Sequence, residues 1–251
     1  MIPVAVVVAI ALAMIGLERA RPRRHWPYVP TWWARALAIN GIQIALVFVA
    51  GATWERWLRG PHLFALAAHG RGLEIAIGYI VNVMWMYWAH RARHRFDVLW
   101  RWLHQLHHSP ARIEILTAYY KHPLEITSES IATSVLLYVV LGVSAESALA
   151  ITTTSGVLGL FYHWNVATPR WLGYLVQRPE SHCIHHELDV HAYNYSELPL
   201  IDILFGTFRN PQRFVGQCGL GDGREQAFAA LLLGRDVMYP RHPRHPRHPR
   251  S

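Results

Sequence analysis

Apolar residues fall along this chain in long unbroken runs, not in the i, i+3, i+4 stripe that marks a helix on the surface of a soluble domain. Residues 2–17, 33–53 and 73–89 each form such a run, near the length a helix needs to cross a bilayer. Residues 126–162 form a longer one, interrupted at Gly142–Glu146, which reads as a hairpin of two helices entering and returning on one side. The pattern predicts an all-α integral membrane helical bundle of four or five transmembrane helices.

The polar residues between the runs orient that bundle. No basic stretch leads the first run; Arg19, Arg21, Arg23 and Arg24 follow it, the order expected of an uncleaved anchor and not of a secretory signal. The third run ends among Trp85, Tyr87 and Trp88, residues of the kind that anchor a helix at the membrane interface. An arginine-rich segment at 18–35 is expected on the cytoplasmic side, which sends 54–72 outside and returns the chain inside at His90. Later polar segments then face the cytoplasm. Residues 1–72 are expected to be anchor helices and 73–213 the functional domain, with 214–251 a C-terminal extension.

Composition strengthens the membrane reading: 52% of residues are hydrophobic and 11 are Trp. The net charge of +8 is almost wholly arginine, Lys121 being the one lysine, and lies beside apolar runs, which suits a membrane surface and not nucleic acid. The compact size and arginine-heavy composition suggest a bacterial inner membrane. The Arg-His-Pro repeat from Arg241 to Arg250 cannot pack a core and is expected to be disordered. Cys183 and Cys218 form neither a disulfide framework nor a CxxC site.

The chemistry therefore rests on histidine. His90 and His94 stand i, i+4, on one helical face. His104, His107 and His108 follow as HxxHH, His182, His185 and His186 repeat that pattern, and His163 ends the last apolar run. These nine imidazoles exceed the four ligands of a closed zinc site and suit two ions of iron, zinc, copper or nickel. His186-Glu187 is followed by His191, one residue too late for the HExxH of a zinc protease. No Glu stands three residues before a clustered histidine, which excludes the carboxylate-rich ferritin-like site.

In order and spacing, HRARH at 90–94, HQLHH at 104–108, KHPLE at 121–125, FYHWN at 161–165, HCIHH at 182–186 and NYSELPLIDILFGTFRNP at 194–211 resemble the fatty acid hydroxylase and sterol desaturase superfamily over roughly residues 75–213. The resemblance implies a cytoplasmic-face cap of helices carrying a histidine-rich di-iron site, with O2 as co-substrate. Family ligands map onto His90, His94, His104, His107, His108, His182, His185 and His186, with His163 also matching, and His122 is a candidate tenth ligand. Some relatives carry a second histidine where Ala167 stands, so one coordination position falls to water, His122 or Asn165. Asp202, Asn194, Asn165 and Glu180 are candidates to hold the imidazoles from behind.

The function this implies is O2-dependent hydroxylation or desaturation of a lipid, such as a fatty acyl chain of a membrane lipid. No haem domain, dinucleotide fingerprint or iron-sulfur cysteine set is evident, so a separate reductase or ferredoxin-type electron donor is implied. The alternative is a membrane metal-binding or metal-transport protein using the same clusters. Such a protein would place ligands at the bilayer midplane, whereas here only His163 lies within an apolar run, at its end.

Overall fold

The computed structural model describes residues 2–238, with side chains from residue 5 onward, and the Arg-His-Pro tail lies outside the described residues. Among the described residues there is no strand; extended pairing is confined to one bridge between Glu187 and Cys218. Four long helical elements form the body. Helix α1 covers Ile2–Ala20, α2 Trp32–Ala52, α3 Arg71–Arg95, and the fourth element is the hairpin.

Each element follows from its sequence. Helix α3 contains the apolar run at 73–89 but continues to Arg95, because nothing between Trp88 and Arg95 breaks a helix. That extension carries His90 and His94 beyond the apolar segment. The hairpin begins with α5, Pro123–Ser134, preceded in the chain by α4 at Gln105–His108, and passes without a break into a π-helix at Val135–Val140. It turns at residues 141–144 and returns as α6, Ala145–His163. Gly142 makes the turn possible: its φ is +65°, and a Cβ there would lie 2.0 Å from the Phe64 carbonyl oxygen. Backbone N–H groups of Leu63, Phe64, Leu66 and Ala67 donate to the carbonyls of residues 139–142, so the hairpin tip leaves none of these acceptors unpaired.

Helix α6 packs directly against α3. Gly78 lets the two approach, since a Cβ there would meet the Ile151 side chain at 2.7 Å. At the far end, Glu18 of α1 accepts from the backbone N–H groups of Ile115 and Asn165, tying the loops on either side of the hairpin to one helix end. The last described segment returns to the body. Leu220, Leu231, Val237 and Met238 bury themselves with Trp32, Ile39, Trp100 and Leu106, and Gln105 donates to the Arg235 carbonyl.

The expected count of four or five spans is not matched by length and composition. Among the described residues one helical stretch, Trp32–Trp57, is long and apolar enough to cross a membrane. Polar residues lower the hydropathy of α3 and α6: Glu74, Asn82 and the His90–Arg95 end in α3, and Glu146, Thr152, Thr153, Thr154 and Ser155 in α6.

Candidate metal centre

Four elements bring the histidines together. The end of α3 supplies His90 and His94. The π-helical turn Trp100–His104 runs straight into α4 and supplies His104, His107 and His108. Helix α7, Pro179–His185, started by a proline at its first position, supplies His182 and His185, with His186 at its C-terminal end. The end of α6 adds His163.

These nine rings sort into two groups. His90, His94, His104, His108 and His185 form one, His107, His163, His182 and His186 the other, and within each group the ligand atoms lie within 4.8 Å of one another. Each HxxHH motif divides itself between them. In the first motif His104 and His108 join the group of five and His107 the group of four; in the second, His182 and His186 join the group of four and His185 the group of five. Neighbouring side chains on a helix point about 100° apart, so each His-His pair serves two centres instead of one. The groups touch where His108 and His186 stack with ring centroids 4.1 Å apart.

The arrangement suits metal ions. The Nε2 atoms of His163 and His186 each lie 3.0 Å from Nε2 of His182, and those of His104 and His108 are 3.1 Å apart. Two imidazole nitrogens bound at right angles to one ion, with bonds of about 2.1 Å, would stand about 3 Å apart. His90 and His185 each donate from Nδ1 to a carbonyl, leaving a buried Nε2 with no hydrogen-bond partner, an arrangement costly without a ligand. Burial, assisted by the neighbouring rings, pushes the imidazoles of His104, His107, His108, His182 and His186 well below the ordinary histidine range. Burial also lowers His185 to about 4. These rings are neutral at pH 7, the form that offers a lone pair to a metal.

Behind the rings, backbone carbonyls do most of the orienting. His90 donates to the Tyr195 carbonyl at 2.8 Å, His185 to that of Tyr193 at 2.8 Å and His163 to that of Gly159 at 2.7 Å. The loop bearing Tyr193 and Tyr195 holds His191, Tyr193 and Asn194 at positive φ, which turns two of its carbonyls toward two different rings. His104 donates instead to Glu125 at 2.7 Å, and Glu125 is fully buried and ion-paired with Arg93 at 3.1 Å.

The expected supporting residues act at one remove. Asp202 accepts from the N–H groups of Tyr195 and Ser196 and from the Thr207 hydroxyl, and so fixes the loop that reaches His90 without touching a ring. Asn194 joins the Ser181 carbonyl to the Arg209 N–H. Asn165 pairs with the backbone of Arg24, and Glu180 holds Thr168 and Arg178. Their polar atoms are thus consumed by loop backbone and by neighbouring side chains, not by imidazoles.

His122 lies outside both groups. Its Nε2 donates to the Leu232 carbonyl and its Nδ1 accepts from Leu124 N–H, so it caps α5 with both ring nitrogens occupied. Two other residues enter that the sequence did not single out. Glu125 stands in the KHPLE motif, where a carboxylate three residues after a histidine was the available sign. His191, set aside on HExxH spacing, reaches the site through its loop: its Nδ1 is 3.1 Å from Nδ1 of His108.

The family model described as fatty acid hydroxylase matches residues 75–207, from near the start of α3 past α8 at Pro199–Leu204. No curated protein and no solved structure matches the chain. The matched span is more than half the chain and holds both histidine groups with the loop that orients them: the chain belongs to the fatty acid hydroxylase family, within the sterol desaturase and fatty acid hydroxylase superfamily.

Proposed function

We propose that this protein is a membrane oxidoreductase that uses O2 and two non-haem irons to hydroxylate, or desaturate, an acyl chain of a membrane lipid. The observation that carries the reading is the division of each HxxHH motif between two adjacent, buried, all-histidine groups. One group of His90, His94, His104, His108 and His185 would hold one iron, and His107, His163, His182 and His186 the other. When bound, such a pair of irons supplies the reduction of O2 and the abstraction of hydrogen from an unactivated carbon.

The chain's own residues bind, orient and shield. Eight of the nine rings are at most 3% exposed, which keeps bulk water from the reacting atoms. The carbonyls of Tyr193, Tyr195 and Gly159, with the carboxylate of Glu125, hold the tautomers that leave Nε2 free to ligate. Hydroxylation consumes the C–H bond, O2, two electrons and two protons and yields the alcohol and water, so electrons must enter from a separate reductase or ferredoxin-type donor.

A bundle of four or five membrane helices, with the site on the cytoplasmic side of a bacterial inner membrane, belongs to the same proposal. Large apolar side chains turned outward on the long helices support it: Leu12, Leu37, Phe48, Ile80 and Leu149 are 64, 58, 51, 47 and 47% exposed. Lipid tails would cover them at no cost, whereas water would not.

Lipid mass spectrometry of cells with and without the protein tests the function. A gain of one oxygen or a loss of two hydrogens in an acyl lipid is expected, and its disappearance in His107→Ala and His185→Ala variants that still insert in the membrane. Purified protein that exchanges metal yet yields no oxygen-dependent lipid product would defeat the reading.

A further inference from the structure

A cavity of about 360 Å3 opens beside the histidine groups at the end of α3 and is lined by Trp88, Arg91, Ala92, His94, Arg95, Phe96 and Tyr195. It is near the small end of the range for ligand sites, enough for a head group and the start of a chain but not for a whole lipid. Its composition divides by chemistry. His94 and Tyr195 belong to the metal centre and its orienting loop, Arg91 and Arg95 are positive, and Trp88 and Phe96 are 46 and 59% exposed.

The two arginines stand i, i+4, on one face of α3. Arg91 is half-buried, donates to the Tyr87 hydroxyl at 3.2 Å and lies 5.5 Å from the Trp88 ring. Neither arginine has an ion-pair partner among the described residues, although Arg93 between them has two. Of the carboxylates nearby, Asp97 pairs with Arg101, and Asp202 spends its hydrogen-bonding capacity on three donors of its own loop while feeling the Arg91 charge from a distance. Two guanidinium groups without a direct ion pair at the mouth of a cavity are a seat for an anion, since each offers a planar fork to carboxylate or phosphate oxygens. Exposed Trp88 and Phe96 beside them suit an apolar chain attached to that anion.

We propose that this cavity binds the anionic head group of the lipid substrate, a carboxylate or phosphate held by Arg91 and Arg95, with the start of its chain across Trp88 and Phe96. This rests on the oxygenase reading for the meaning of substrate, but the binding itself does not require turnover. The class of ligand is therefore an anionic amphiphile, not a neutral lipid and not a free anion.

Binding of radiolabelled laurate to the purified full-length, metal-loaded protein in neutral detergent tests it, with displacement by unlabelled laurate, dodecyl phosphate, methyl laurate and inorganic phosphate. Laurate and dodecyl phosphate are expected to displace the label at concentrations about tenfold lower than methyl laurate, as lost charge-assisted hydrogen bonds imply. Inorganic phosphate should displace it poorly. An Arg91→Gln/Arg95→Gln variant with the parent's metal content should bind laurate about tenfold more weakly and methyl laurate equally well. An Arg91→Lys/Arg95→Lys variant should recover part of the loss.

Equal displacement by acid and ester would overturn the proposal without any variant being made. So would parental laurate binding in the glutamine variant. Inorganic phosphate as effective as dodecyl phosphate would replace the lipid with a free anion and also overturn it. Selective binding of laurate with no oxidised product from any lipid would defeat the oxygenase reading alone, and oxidation of lipids with no acid preference in binding would defeat this proposal alone.

Discussion

His108 and His191 meet ring to ring, Nδ1 to Nδ1 at 3.1 Å, in a buried contact between α4 and the loop after α7. His108 turns its Nε2 toward His104, so a neutral His108 that ligates through Nε2 carries its proton on Nδ1 and donates it to His191. His191 would thereby be the acceptor that orients His108 in the proposed metal centre. His191→Ala is expected to lower metal affinity about 10–100-fold, the usual effect of losing such a partner. His191→Asn, which keeps a short acceptor, should lose less. Metal content against a competing chelator checks this, and parental affinity in the alanine variant would remove His191 from the site.

Glu125 sits between Arg93 and His104, fully buried. Glu125→Ala leaves a buried guanidinium with one remaining carboxylate, Glu129 at 3.5 Å, and His104 without its acceptor. Breaking a buried pair from one side costs about 3–5 kcal/mol, and the surviving Glu129 contact places the expected loss near 3 kcal/mol. Denaturant unfolding in detergent measures it. A change below about 1 kcal/mol, the scale of an exposed pair, would contradict the buried ion pair.

His107 and His122 make a paired comparison. His107 belongs to the group of four, whereas both ring nitrogens of His122 are committed to Leu232 and Leu124. His107→Ala should strip one ion while His122→Gln keeps the parental metal content and loses only about 0.5–2 kcal/mol of stability as a weakened cap. Elemental analysis of both purified variants decides: metal loss in His122→Gln alone would reverse the assignment.

Gly219 holds the C-terminal segment against the site. Its φ is +92°, its N–H donates to the His186 carbonyl at 3.0 Å, and a Cβ would lie 2.8 Å from the Pro110 carbonyl oxygen and 2.9 Å from Ala111 backbone. Those are backbone atoms, which cannot rotate away. Gly219→Ala is expected to cost about 1–3 kcal/mol from backbone strain alone, read as a lower Tm, with the metal at the group of four bound more weakly. An unchanged Tm would mean that the segment is loosely held.

Much of this protein can be read from local pattern. Unbroken apolar runs announce the long helices, Gly142 marks the hairpin turn, and HxxHH spacing places imidazoles on helix faces, because helical geometry depends on near neighbours only. His122 followed by Pro123 likewise carries the signature of a helix start. Tertiary structure decided what depends on distant segments. Which ring joins which group follows from how α3, α4, α6 and α7 converge, and one helix alone cannot say where its His-His pair will find partners. The acceptors are backbone carbonyls of Tyr193, Tyr195 and Gly159, which every residue type possesses, so no side-chain letter in the sequence could mark them. Asp202 and Asn194 could be recognised as loop-fixing residues but not as one step removed from the metal centre, since that depends on a loop bent through positive φ by the packing around it.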